Sequence, residues 1–285
     1  MGSNLYHRYA QRIAGKNGRP HAGDGRRPNG THSVNQKDKQ LRGFLNAKVV
    51  QYNQPGFIAN DPISLPHRFS EPRDIEIIAL LVATIAWGQR TSIIRSGERI
   101  LEYMNHEPYQ FVSQFTPHDL KPFEQFVHRT FQPYDIQFFL LRLQHIVRTL
   151  GSVEAAFKGH NAAEAIAHFR TVMLATPHEA RVAKHIPDIA RGAAAKRLNM
   201  YLRWMVRKDA SGVDFGIWNN LSPAGLFLPL DVHTATVSRK LGLLQRKAND
   251  WLAVQEVTSA LRRFDPDDPV KYDFALFSLG AEEQF

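Results

Sequence analysis

The chain has no cysteine in its 285 residues. Disulfides, thiolate zinc sites, iron–sulfur clusters and cysteine nucleophiles are thereby excluded, and stability has to come from packing. No run of about 18 apolar residues is present, which excludes a membrane-spanning helix. No succession of charged, apolar and small residues marks a secretory signal, so the expected compartment is the cytoplasm. The thirteen histidines are scattered without a recurring ligand spacing, and neither a metal site nor a cofactor is expected. Asp265, Asp267 and Asp268 lie close together, but Pro266 and Pro269 interleave them; they read as a turn and a helix cap at Asp268 rather than a cation loop. Strand-like alternation is scarce, and no fixed-period repeat is evident.

Residues 14–38 are rich in Gly, Asn, Pro, Arg and His and nearly devoid of large apolar side chains. Such a stretch buries too little to order itself, so residues 1–38 are expected to form a basic, disordered arm. Over the whole chain, 43% hydrophobic and 11% aromatic residues suffice for a substantial core. A net charge of +9 points to a polyanionic partner, but it is unevenly placed. Residues 61–180 hold eleven Lys/Arg against thirteen Asp/Glu, whereas residues 181–208 hold eight against Asp188 alone. The second stretch is the sharper electrostatic signal.

From residue 39 to residue 285 the apolar spacing is helical, and an all-α domain is expected. The pattern predicts helices over Gln40–Tyr52, Pro108–Gln114, Asp119–Phe131, Asp135–Leu150 and Ala162–Met173. The apolar run from Ile75 to Trp87 reads as a buried central helix, capped by Ser70 with Pro72 just inside, and broken by Gly88. Gln89 to Ser92 then start a helix reaching Met104. Ala193–Lys208 is predicted as an amphipathic helix, with Leu198, Leu202, Met205 and Val206 packed and Lys196, Asn199, Arg203 and Arg207 facing outward. The pattern alone reads first as a solvated amphipathic helix, and arginine at that density makes phosphate contact the main alternative. Trp204 and Trp218 read as packing residues.

Asp231 precedes Val-His-Thr-Ala-Thr-Val-Ser and is a natural helix N-cap. Its flanks, Pro229-Leu230-Asp231-Val232-His233 followed by Arg239 and Leu241-Gly242-Leu243, resemble the Asp-containing helix of the helix-hairpin-helix DNA glycosylase superfamily. The segment from Leu80 to Ser92 is similar to that superfamily's early helix with its Gln-containing turn, and Lys271 to Gly280 to its closing helix. The chain also looks like a member of an uncharacterised bacterial family with this fold, on Lys196-Arg-Leu-Asn-Met-Tyr-Leu-Arg-Trp-Met-Val-Arg207 and Asp268-Pro-Val-Lys-Tyr-Asp-Phe-Ala-Leu-Phe277. The superfamily's hairpin falls nearest Ile186–Gly192, where its two glycine positions hold Asp188 and Ala190. Archaeal 8-oxoguanine glycosylases share an altered hairpin, a lysine opening a helix, and a long path to the aspartate.

The resemblance implies a glycosylase-like fold of two helical subdomains with a cleft between them, the first over about 72–180 and the basic, Asp231-containing second over about 181–285. It implies a DNA repair glycosylase with lyase activity, acting as a monomer on duplex DNA in the nucleoid and excising a damaged, oxidised base. Lys196 is the expected catalytic lysine, with Lys208 the second candidate, and Asp231 its partner. Gln89 and Arg90 are expected to fill the gap left by the extruded base, and Lys184, Arg191, Arg197, Arg203 and Arg207 to contact DNA. The field of Arg191, Arg197 and Arg203 is expected to disfavour an ammonium at Lys196. Two alternatives stay open: a non-catalytic nucleic-acid-binding protein on the same scaffold, and a helical protein-interaction scaffold.

Overall fold

Helical spacing along the sequence becomes helices in space, punctuated by prolines. The computed structural model describes residues 36–285. Among these no strand occurs, only an isolated bridge between His128 and Phe131. The α-helices are α1 (Gln36–Tyr52), α2 (Pro72–Thr84), α3 (Arg90–Tyr103), α4 (Pro108–Gln114), α5 (Pro133–Leu150), α6 (Ala162–Met173), α7 (Lys196–Val206), α8 (Val232–Lys240), α9 (Trp251–Arg262) and α10 (Tyr272–Ala281). The expected basic arm lies outside the described residues except for Gln36, Lys37 and Asp38, which belong to α1 rather than to a disordered segment. Asp38 in the first turn complements the helix dipole there. Among the described residues no helix is long and apolar enough to cross a membrane.

Helix α2 is the central element, buried at every position from Ile75 to Thr84. Each fully buried Ile, Leu or Val there contributes about 1.5–3 kcal/mol. Its cap is not Ser70: Glu71 takes the capping position with no side-chain bond and Pro72 opens the helix, so the fixed φ of proline does the ordering. Glu76 is the one acid within the buried stretch Ile75–Thr84. Its carboxylate accepts from Val153 N at 3.0 Å, Glu154 N at 3.2 Å and Trp218 Nε1 at 3.2 Å, and burial raises its pKa against those bonds. Trp218 is thus a packing residue, as is the fully buried Trp204.

The helix predicted over Asp119–Phe131 is instead a 3-10 segment, Pro117–Gln125, with Pro122 inside it and Phe126 extended. Proline removes a donor and Arg129 adopts a left-handed φ of 55°, so an α-helix cannot continue. Helix α7 begins at Lys196, because Ala195 is left-handed at φ 51°, and it stops before Arg207. It is buried along most of its length, including Asn199, Arg203 and Trp204; of the four residues expected to face outward, Asn199, Arg203 and Arg207 are buried and Lys196 alone is partly exposed.

The stretch Asp209–Phe227 folds back along the end of α7. Phe215 N donates to Trp204 O at 2.8 Å and Trp218 N to Met205 O at 2.9 Å, satisfying carbonyls that a helix C-terminus leaves open. Gly216 sits here at φ +57°, where a Cβ would lie 2.9 Å from Lys208 Cα. After this return the chain enters α8, which packs against α10. At their crossing a Cβ on Gly280 would lie 2.9 Å from His233 Cβ and 3.2 Å from its carbonyl oxygen. Gly280→Ala is therefore expected to cost about 1–3 kcal/mol through overpacking, read as a lower urea midpoint at unchanged m value.

Candidate functional site: a lysine–aspartate cleft

Lys196 is the first residue of α7 and Asp231 the residue that caps α8. A lysine at a helix N-terminus opposes the helix dipole and needs a negative partner. Asp231 supplies it and divides its two oxygens between two tasks. Oδ1 accepts from Thr234 N at 2.8 Å, closing the first turn of α8. Oδ2 lies 3.6 Å from Lys196 Nζ, an ion pair rather than a hydrogen bond. The lysine side chain is 35% exposed and the aspartate 15%, so both remain reachable. Because asparagine keeps the capping oxygen, Asp231→Asn is expected to hold the folded stability, while Asp231→Ala loses about 1 kcal/mol. Paired thermal melts check this.

The pair faces a cleft of about 770 Å³, large enough for a nucleobase and its sugar by the usual span of ligand sites. Its walls mix aromatic rings, Trp87, Phe57 and Phe277 among them, with Lys196, Asp231, Asp61 and Asp273. Asp61 accepts from Ile63 N at 3.0 Å, and burial raises its carboxyl above the ordinary range. Asp273, on α10, is pushed up to about 7 by burial, against the opposing Arg203 charge and with Asp231 adding to the rise. Neither carboxyl was anticipated as a site residue. The available signal for Asp273 was a lone acid inside the apolar stretch Tyr272–Leu276.

The seven expected DNA-contact residues divide. Arg90 and Lys184 line the cleft, Arg90 with its guanidinium 5.1 Å over the Phe277 ring. Gln89 is exposed at the turn before α3, and the Arg191 side chain is 88% exposed. These four are accessible. Arg203 and Arg207 are not: they are 4% and 2% exposed and paired inside the molecule. Arg203 binds Asp273, and its Nε lies 3.2 Å from Asp214. Arg207 reaches Asp214 at 3.1 Å, Asp268 at 2.9 Å and Asp209 at 2.6 Å. Asp268 stands before Pro269 as expected, but makes no side-chain cap, because Arg207 holds it.

Arg197 is half-buried, donating to Thr84 O and to His185 O, with its guanidinium 4.7 Å over Trp87; burial lowers its pKa to about 10. It closes the end of α2 and orders a cleft wall instead of meeting phosphate. The expected field of free arginines around Lys196 is corrected accordingly: Arg203 carries two acids, and Lys196 itself is ion-paired with Asp231. Burial works against the Arg203 charge, but Asp214 and Asp273 outweigh it and raise its pKa. Lys208 is exposed and not among the cleft residues. Among the described residues no group of three His, Asp or Glu side chains could hold a metal ion.

No curated protein and no solved structure matches the chain. A family model does match, over residues 61–282, a span that runs from Asp61 to Glu282 and takes in Lys196, Asp231 and Asp273. The chain belongs to the family described as "Protein of unknown function (DUF2400)".

Proposed function

We propose that the chain is a DNA glycosylase with a lyase step, on a helix-hairpin-helix glycosylase-like scaffold of two helical subdomains, in which Lys196 is the nucleophile and Asp231 the stabilising charge. The observation that carries this reading is the 3.6 Å approach of Lys196 Nζ to Asp231 Oδ2 at a cleft of base-plus-sugar size. A base inside a duplex is out of reach, so the enzyme extrudes it, at about a few kcal/mol of lost stacking. The aromatic walls receive the base, Gln89 and Arg90 fill the gap, and Lys184 and Arg191 hold phosphates. The neutral Lys196 amine attacks the sugar C1′ as the base departs, and Asp231 offsets the positive charge that develops on the sugar. A Schiff base to the opened sugar follows, from which the strand breaks.

The test is excision from duplexes carrying 8-oxoguanine or other damaged bases, read as strand cleavage. Activity lost in both Lys196→Gln and Asp231→Asn supports the proposal; excision intact in both variants contradicts it. Salt-sensitive binding of these duplexes with neither excision nor a covalent adduct assigns the chain instead to nucleic-acid binding without chemistry. The altered hairpin, with Asp188 and Ala190 at its glycine positions, is the observation that favours this second reading.

A further inference from the structure

Arg129 stands where its backbone favours another residue. Its φ of 55° is left-handed, a conformation that glycine and asparagine adopt readily and arginine does not. The surroundings impose it. His128 and Phe131 exchange N–H to carbonyl bonds of 2.9 Å each, which pinches Arg129 and Thr130 into a tight loop. Buried His128 ties that loop to its neighbours, with Nδ1 2.8 Å from Ser96 Oγ on α3 and Nε2 3.2 Å from Trp87 O in the turn after α2. Arg181 donates to Thr130 O at 3.2 Å. Strain of this kind persists only where the contacts around it over-determine the backbone, and it points to a use for the side chain held there.

What the loop presents is a guanidinium laid along Gly88. A Cβ on Gly88 would meet Arg129 Nη1 at 2.8 Å and Cδ at 3.1 Å, so the glycine leaves the room that the arginine fills. Gly88 lines the cleft, and Gln89 follows it, exposed at the turn. Gln132 Nε2 donates to the Arg129 carbonyl at 3.1 Å, but among the described residues the guanidinium has neither an ion pair nor a hydrogen-bond acceptor, and Arg129 is exposed. Arg203 and Arg207, by contrast, are held by buried aspartates. Packing over Gly88 does not explain the charge, because an apolar side chain would cover that backbone as well.

We propose that Arg129 is a phosphate contact, holding the DNA backbone beside the turn that carries Gln89. This rests on the DNA reading proposed above and does not depend on whether Lys196 performs chemistry. A planar guanidinium matches two phosphate oxygens at once. Its seat on the residue before Gln89 sets the backbone relative to the gap that Gln89 fills. The contact falls in residues 61–180, whose eleven Lys/Arg against thirteen Asp/Glu give no hint of it, whereas Lys184 and Arg191 come from the basic stretch 181–208. The duplex is thus held from a second element, in the part of the chain with no excess of positive charge.

The test is the affinity for a duplex carrying a tetrahydrofuran abasic analogue, which cannot form a Schiff base, read by fluorescence anisotropy between about 50 and 200 mM salt. Asparagine suits a left-handed backbone, so Arg129→Asn is expected to keep or raise the urea midpoint. Its affinity is expected to fall about tenfold at about 100 mM salt, and the slope of log K against log salt to shrink by about one. The loss should be the same whichever base stands opposite the analogue, because a phosphate carries no sequence. An unchanged salt slope in Arg129→Asn overturns the proposal, and with a lowered urea midpoint it assigns Arg129 to the fold alone. A loss confined to one opposite base also overturns it, in favour of base reading. If Arg129→Asn does not fold, the salt slope of Arg129→Gln on the same duplexes decides. A wild-type protein that does not bind the duplex at all overturns the DNA reading itself, which is a different outcome from the others.

Discussion

Lys196→Gln is expected to yield no trapped adduct with abasic-site DNA and to slow base excision by about 10³-fold or more, while leaving the protein folded. The amide has no nucleophilic lone pair at nitrogen, so the covalent route is closed. What survives is binding, extrusion and the Asp231 charge, and removing a covalent or electrostatic element of this kind typically costs two to four orders of magnitude. Folding should barely register the change. Lys196 is 35% exposed and its ion pair is 3.6 Å long, a partly solvated pair whose contribution falls at about 1 kcal/mol or below. Trapping, excision rate and a urea titration on the same preparation read the three effects separately.

Arg203→Met is expected to do the reverse, destabilising the fold by about 3–5 kcal/mol, because it leaves Asp214 and Asp273 as buried carboxylates without their shared counter-charge. The loss spreads through one network. Asp214 also holds Arg207, and Arg207 also holds Asp209 and Asp268, so α7, the folded-back stretch and the start of α10 are tied at one place. Arg191→Ala, at an exposed side chain, is expected to shift stability by less than about 0.5 kcal/mol yet weaken DNA binding and flatten its salt dependence. Urea unfolding of the two variants makes the contrast: comparable small shifts for both contradict a buried role for Arg203.

That contrast also marks what the sequence made legible. Local signals carried well: α4 and α6 fall on their predicted bounds, Gly88 separates α2 from α3, and Asp231 caps α8. Helix periodicity and capping act within a few residues, which is what a sequence displays directly. The charged side predicted for α7 failed because periodicity tells which residues share a face and not what covers it. Arg203 finds Asp273 seventy residues on, and Arg207 finds Asp268 sixty-one residues on. Nothing local separates an arginine awaiting a phosphate from one already given a buried aspartate. Asp273 was hidden for the same reason: its significance lies in the cleft it shares with α7 and α8, which exists only once Asp209–Phe227 folds back.

The return of Asp231 to Lys196 makes the lysine the natural place to test the account. After borohydride reduction of the wild-type protein on an abasic-site duplex, peptide mapping of the cross-linked product should find the sugar on Lys196. An adduct on Lys208 or another lysine, or no adduct under conditions where the duplex is bound, contradicts the assignment and leaves Asp231 as the cap of a helix.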